Sequence, residues 1–166
     1  MEIEYRNATA GELSAVMRLI HAAIAEMERC GIHQWDDIYP AETDLAADIA
    51  AEQLICGWDG DRLAVIYVLN QLCDAAYDTA DWAYSGADFA VMHRLCVDPA
   101  YQHRGIAQQT LERIETDLRS CGCKAIRLDV FTENPAALRL YARNGLRQTG
   151  TAYWRKGRFL LMEKLL

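Results

Sequence analysis

Apolar residues recur along this chain with two different periods, and the changes between them divide it into alternating strands and helices. Residues 3–6 read as a short strand. Thr9-Ala10-Gly11-Glu12 then pairs a hydroxyl with a carboxylate three residues later, a pattern that satisfies the orphan amides of a helix start from both sides. Leu13, Val16, Met17, Ile20, Ala23, Ile24 and Met27 follow at three- and four-residue spacing. They form one apolar stripe on a helix that Gly31 can close in left-handed conformation. Residues 31–40 break that period with aromatics beside polar groups, and 43–51 resume a short helical one.

Residues 53–58 and 63–69 are apolar runs joined around Asp59-Gly60-Asp61, the composition of a tight antiparallel hairpin. Residues 73–88 have no clean period and many small or polar side chains, which predicts a long loop. In 89–97, strict alternation puts Phe89, Val91, His93, Leu95 and Val97 on one strand face and Ala90, Met92, Arg94 and Cys96 on the other, so His93 interrupts an apolar row. Ile106, Ala107, Thr110, Leu111, Ile114 and Leu118 mark a second amphipathic helix ending at Gly122. Ile126, Leu128 and Val130 alternate in a strand, Asn134-Pro135 opens a helix that Gly145 ends, and 146–154 and 158–165 are strands around Lys156-Gly157. Strands interleaved with helices, and hairpins at both ends, predict a mixed α/β domain.

At 166 residues, 52% apolar and 25% charged, the composition is that of one soluble globular domain spanning 1–166. No window has the apolar length of a membrane span, and the mixed acidic N-terminus is unlike a secretory leader, so the expectation is a cytoplasmic protein with no membrane partner. The net charge of −7 argues against nucleic acid, which needs clustered Lys and Arg. The six cysteines (Cys30, Cys56, Cys73, Cys96, Cys121 and Cys123) lack both the density of a disulfide scaffold and the spacing of a zinc knuckle. Free thiols and no metal follow.

The stretch from His93 to Ile114 carries the chemistry. A strand stops at Asp98-Pro99 and a helix starts soon after, with the small residues Gly105 and Ala107 at the junction and Arg104 beside them. A helix N-terminus offers unpaired amides and the positive end of its dipole, so the junction is a candidate anion site. Taken alone, the same residues fit an ordinary strand-to-helix loop.

The sequence QHRGIA (Gln102 to Ala107), preceded by LCVDPAYQ, resembles the pyrophosphate signature of GCN5-related N-acetyltransferases. The downstream DVFTENPAALRLYARNGL resembles the same family's second motif. The resemblance is firm over residues 89–146. It implies a central, mostly antiparallel twisted sheet of about six to seven strands flanked by about four helices, and acetyl-coenzyme A (coenzyme A) as cofactor. By that resemblance the backbone of Gln102, His103, Arg104, Gly105, Ile106, Ala107 and Gln108 cradles the pyrophosphate. Leu95, Cys96 and Val97 pair with the pantetheine, the amide near Leu95 polarises the thioester carbonyl, and Asn134 contacts the cofactor.

For catalysis the resemblance makes Tyr141 the general acid for the leaving thiolate, with a core aromatic as the alternative. Two residues compete as base. His93 resembles a histidine that arylalkylamine acetyltransferases carry on this strand, and Asp129 stands five residues before Asn134, where bacterial ribosomal-protein N-terminal acetyltransferases carry a Glu. A buried structural histidine, an Asp129 ion pair with Arg127 or another surface cation, and a relay through water stay open beside them. Cys96 lacks a paired base, which makes an acyl-enzyme the weaker route. Gln34 and Trp35 are candidate acceptor-binding residues, with Trp35 as a core plug the alternative. The expected partner is an amine acceptor, with a homodimer left open. The expected reaction is direct attack of a primary amine, of a small molecule, on the thioester; the alternatives are a protein or peptide N-terminal acetyltransferase and a non-catalytic acyl-coenzyme A sensor.

Overall fold

Seven strands and four α-helices make up the fold, seen in a computed structural model that describes residues 2–166. In chain order they are β1 (Glu4–Asn7), α1 (Leu13–Arg29), α2 (Glu42–Ala50), β2 (Leu54–Asp59), β3 (Arg62–Asn70), β4 (Phe89–Val97), α3 (Ile106–Ser120), β5 (Ala125–Phe131), α4 (Pro135–Arg143), β6 (Arg147–Trp154) and β7 (Gly157–Leu165). Hydrogen bonding orders the strands β1-β2-β3-β4-β5-β7-β6 in one mixed, mostly antiparallel sheet, the α/β arrangement the sequence predicts. Two compact units share the chain: Met1–Leu69 with Arg94–Ala107, and Asn70–His93 with Gln108–Leu166.

In the first unit, β1, β2 and β3 are antiparallel neighbours. Val16, Ile20 and Ala23 of the predicted stripe of α1, joined by Leu19, which that stripe did not include, are buried with Leu45 and Ile49 of α2 against Leu54, Cys56, Ile66, Val68 and Cys96. A second cluster gathers Ala64, Val65, Tyr101 and Ile106, with Leu95 and Val97 packed on it. Pairing skips from Gly57↔Val65 to Trp58↔Leu63, so Ala64 is an extra residue in β3. At Gly57 a Cβ would come within 2.5 Å of Val65 Cγ1 and 2.9 Å of both Ile3 Cγ2 and Tyr5 Cε1, so packing alone demands glycine there.

The start of α1 is tighter than the sequence pattern implies. Thr9 donates both its amide (2.8 Å) and its hydroxyl (3.1 Å) to Glu12 Oε2, a 3-10 turn over Ala10–Glu12 precedes the helix, and Arg6 forks onto the same carboxylate. This pairing with Arg6 holds the Glu12 carboxyl down to about 2. At the other end Gly31 (φ 74) donates to Glu28 and Ile32 donates to Met27, which closes the helix as predicted.

In the second unit, β5 runs antiparallel to β7, and β7 to β6. The first residues of β4 pair parallel with β5 over Phe89↔Ala125, Ala90↔Ile126 and Val91↔Arg127. Strict alternation along β4 ends at Arg94, whose φ of 52 is left-handed. The common face that alternation assigns to His93 and Leu95 therefore loses its basis, because a left-handed residue turns the strand locally. Residues 73–88, read as a plain loop, hold a 3-10 turn at Ala75–Thr79. No helix among the described residues is long and apolar enough to cross a membrane.

Candidate functional site

In the first unit the end of β4 is shaped by local chemistry. Asp98 accepts from the Ala100 amide at 2.8 Å and Pro99 starts the short turn Pro99–Tyr101, whose buried Tyr101 donates its hydroxyl to Asp59 at 2.9 Å. The Arg104 guanidinium lies 5.5 Å from the Tyr101 ring centre. Beyond this turn His103 (φ 60) and Gly105 (φ 79) are both left-handed, with Arg104 between them outside that region. Alternating hand turns consecutive amides toward one concave side, the geometry of a backbone anion nest. His103, Arg104 and Gly105 are exposed, and their amides donate to no acceptor among the described residues. A Cβ at Gly105 would meet nothing within 4 Å, so backbone hand rather than crowding calls for glycine.

The loop does not hang loose. Ile106 is buried with Tyr101 and Val65, which pins the first residue of α3, and Ala107 is half-buried behind it. Gln102 reaches back to the Val97 carbonyl at 3.4 Å. Leu95 and Val97 lie against the Tyr101 cluster, whereas Cys96 points into the α1–α2 core. Burial, with the charge of Asp98 adding to it, pushes the Cys96 thiol far up, so a thiolate nucleophile is disfavoured there. All six cysteines are unpaired thiols, and no group of three metal-ligating side chains occurs among the described residues.

Trp35 packs, partly buried, against the α1–α2 core, and Gln34 is half-buried beside it. Asp36 is occupied in a turn, its Oδ1 accepting from the amides of Ile38 (3.0 Å) and Tyr39 (3.1 Å). Sequence reasoning missed Arg94 in this unit. Its Nη1 meets Asp48 Oδ2 at 3.0 Å and its guanidinium lies 5.3 Å from the Tyr39 ring centre.

The second unit carries the proton-handling candidates. Asn70 Oδ1 accepts from the Leu72 amide at 2.9 Å and lies 2.8 Å from His93 Nε2. An amide oxygen can only accept, so His93 Nε2 is the donor in this contact. Asn134 caps α4, its Oδ1 accepting from the Ala137 amide at 3.1 Å with Pro135 behind it, as the Asn-Pro pair predicts. The Gln108 side chain is tied to Asn144 by two hydrogen bonds of 2.7 and 2.8 Å and to Glu112 at 2.7 Å.

Tyr141 is buried on α4, and its hydroxyl makes no hydrogen bond among the described residues. Burial, and then the nearby Asp129 charge, push its phenol well above the ordinary tyrosine range and hold it protonated. Asp129 has not paired with Arg127. Its Oδ2 accepts from the Tyr77 hydroxyl at 2.8 Å, and Tyr77, buried in the 73–88 segment, is a residue the sequence offered no reason to single out. Arg127 is itself buried and paired with Glu163 at 3.0 Å, directly across the β5–β7 ladder. That buried pair had a sequence signal, since each strand carries a charge inside an apolar run and a buried charge requires a partner.

A model of the Acetyltransferase (GNAT) family matches residues 20–146. Among curated proteins, the L-methionine sulfoximine/L-methionine sulfone acetyltransferase of Salmonella typhimurium is 30% identical over 70 residues, 42% of this chain and 41% of that protein. The alignment thus spans less than half of that relative. An acetyltransferase of the GNAT family from Streptococcus agalactiae superposes with a TM-score of 0.86 at 23% identity, covering 99% of this chain and 95% of the other. The PaiA N-acetyltransferase of Thermoplasma acidophilum, solved with coenzyme A, does so with a TM-score of 0.75 at 19% identity over the full length of both chains.

Proposed function

We infer, from the premise that this chain belongs to the Acetyltransferase (GNAT) family and is therefore an acetyltransferase using acetyl-coenzyme A, that it acetylates a primary amine of a small molecule by direct attack. The observation that carries the cofactor side of this reading is the pair of left-handed residues, His103 and Gly105, which leaves three exposed amides at the head of α3 without acceptors among the described residues. Such a nest, next to the positive end of a helix dipole, fits a pyrophosphate. Acetyl-coenzyme A, when bound, supplies an acetyl group already activated as a thioester.

The chain's own residues have the remaining tasks. The nest holds and orients the diphosphate, with Arg104 adding charge at its rim. We assign Tyr141 the role of proton donor to the departing sulfur, a role supported by a burial that keeps its hydroxyl protonated. Asp129 is our preferred acceptor for the proton that the amine sheds. Its carboxylate is held by Tyr77 in the same unit and close enough for its charge to act on Tyr141. His93, hydrogen-bonded to Asn70 in the same unit, is the alternative base. The small-molecule acceptor is supported by the Salmonella relative, whose named substrates are amino-acid derivatives.

Release of free thiol from acetyl-coenzyme A, followed while amino acids and their sulfone and sulfoximine derivatives, arylalkylamines, polyamines and short peptides are offered, tests the reading. Turnover with a small amine is expected. Turnover with peptides alone would replace it by an N-terminal acetyltransferase, and tight coenzyme A binding with no turnover by a sensor.

A further inference from the structure

Why does a buried tyrosine from the 73–88 segment end on the carboxylate of β5? The hydroxyl of Tyr77 is placed by a framework wholly within the second unit. Asp74 caps the 3-10 turn through the Ala76 amide at 2.8 Å and accepts from Trp154 Nε1 at 3.3 Å. The Tyr77 carbonyl takes Trp82 Nε1 at 2.9 Å, and the two rings lie 5.4 Å apart. Past Trp82, the amides of Ala83 (2.7 Å) and Tyr84 (3.3 Å) converge on Glu163 Oε1, whose charge is balanced by Arg127. The Arg127 guanidinium is sandwiched 4.4 Å from the Trp82 ring centre and 4.0 Å from that of Phe89, and it also donates to the Tyr84 carbonyl. Gly150 completes the seat, since a Cβ there would stand 2.9 Å from Ala80 Cβ and 3.1 Å from its Cα.

A buried ion pair is a costly way to hold a surface segment, and an apolar pair of similar volume would often hold it as well. Here it leaves Tyr77 fixed with its proton directed at Asp129 Oδ2. We propose that Tyr77 is a positioning residue for the acetyl transfer: its hydroxyl fixes the Asp129 carboxylate as the acceptor of the amine's proton. This rests on the reading of Asp129 as base. As the amine nitrogen bonds to the acetyl carbon, its proton passes to Asp129 and the thiolate leaves with the proton of Tyr141. Tyr77 keeps its own proton throughout, because burial and the Asp129 charge push its phenol far up. Cys73 and Asp74 act on Tyr77 together with Asp129, the Asp129 charge acts on Tyr141 of α4, and Arg127, held by Glu163, stands two residues before Asp129 on β5.

Two measurements on Tyr77→Phe test the proposal. In the free protein the Asp129 carboxylate, followed by carbon-13 NMR, should titrate about one pH unit higher than in wild type, since a donated hydrogen bond favours the charged form. In turnover, kcat should fall about tenfold with its acid limb displaced by the same amount, coenzyme A affinity unchanged, and no further loss when Tyr77→Phe is added to Asp129→Asn. A lower melting temperature with neither the titration nor the limb moved would reduce Tyr77 to a structural residue and overturn the proposal. A moved titration with an unmoved limb would also overturn it, placing Asp129 outside the proton path. If Asp129→Asn turns over like wild type, the assignment of Asp129 as base falls, whereas silence with every amine removes the enzymatic reading itself; the NMR titration stands apart from both.

Discussion

Single side chains set the sharpest expectations for this protein. Tyr141 is buried without a hydrogen-bond partner among the described residues, and both burial and the Asp129 charge favour its protonated form. A proton donor of this kind is exchanged for an inert ring by Tyr141→Phe, which should lower kcat about a hundredfold while leaving coenzyme A affinity within about twofold. Because the phenol is shifted upward, its proton is retained as pH rises through the ordinary tyrosine value near 10, so the kcat profile should show no alkaline loss from this group below that pH. Gly105 poses the opposite case, an exposed residue whose φ of 79 does the work. A β-branched side chain resists that hand by about 1–2 kcal/mol. Gly105→Val should therefore weaken coenzyme A binding at least tenfold by calorimetry with only a small fall in melting temperature, because a Cβ there has open space around it.

At the scale of elements, two charged clusters determine how segments begin and where they rest. The start of α1 depends on Glu12, which takes both donors of Thr9 and the fork of Arg6. Its carboxyl is depressed from 4.5 to about 2, so it binds fewer protons folded than unfolded. The stability it contributes is fully present above about 4.5 and is lost as pH falls toward about 2. The melting-temperature gap between wild type and Glu12→Gln should thus be widest near neutrality and close across that window. The second cluster joins β5, β7 and the 73–88 segment. In Glu163→Gln the side chain can still accept from Ala83 and Tyr84 but no longer neutralises Arg127, a buried charge left uncompensated. Denaturant unfolding should register a loss of about 3–5 kcal/mol. If the loss were under about 1 kcal/mol, the pair would be no more than a surface contact.

For the molecule as a whole, a ligand that binds only the folded chain must stabilise it by mass action. Coenzyme A at a hundred times its dissociation constant should add about 2.7 kcal/mol, visible as a melting-temperature rise of several degrees that Gly105→Val reduces. Absence of any rise would remove the cofactor from this chain. Family membership, the mixed seven-stranded sheet, the closing of α1 at Gly31 and the Asn134-Pro135 start of α4 were all legible in the amino acids. The first two were implied by the resemblance of the motifs over 89–146, while the two helix ends depend on neighbours a few residues apart, where local chemistry selects among few backbone states. Tertiary structure decided the rest. It made His103 left-handed although it is not glycine, interrupted β4 at Arg94, and brought Tyr77 to Asp129 and Arg127 to Glu163 across 52 and 36 residues. Those meetings depend on strand register and on where a long segment settles. Both are chosen by the burial of many groups at once, and no short stretch of sequence contains that choice.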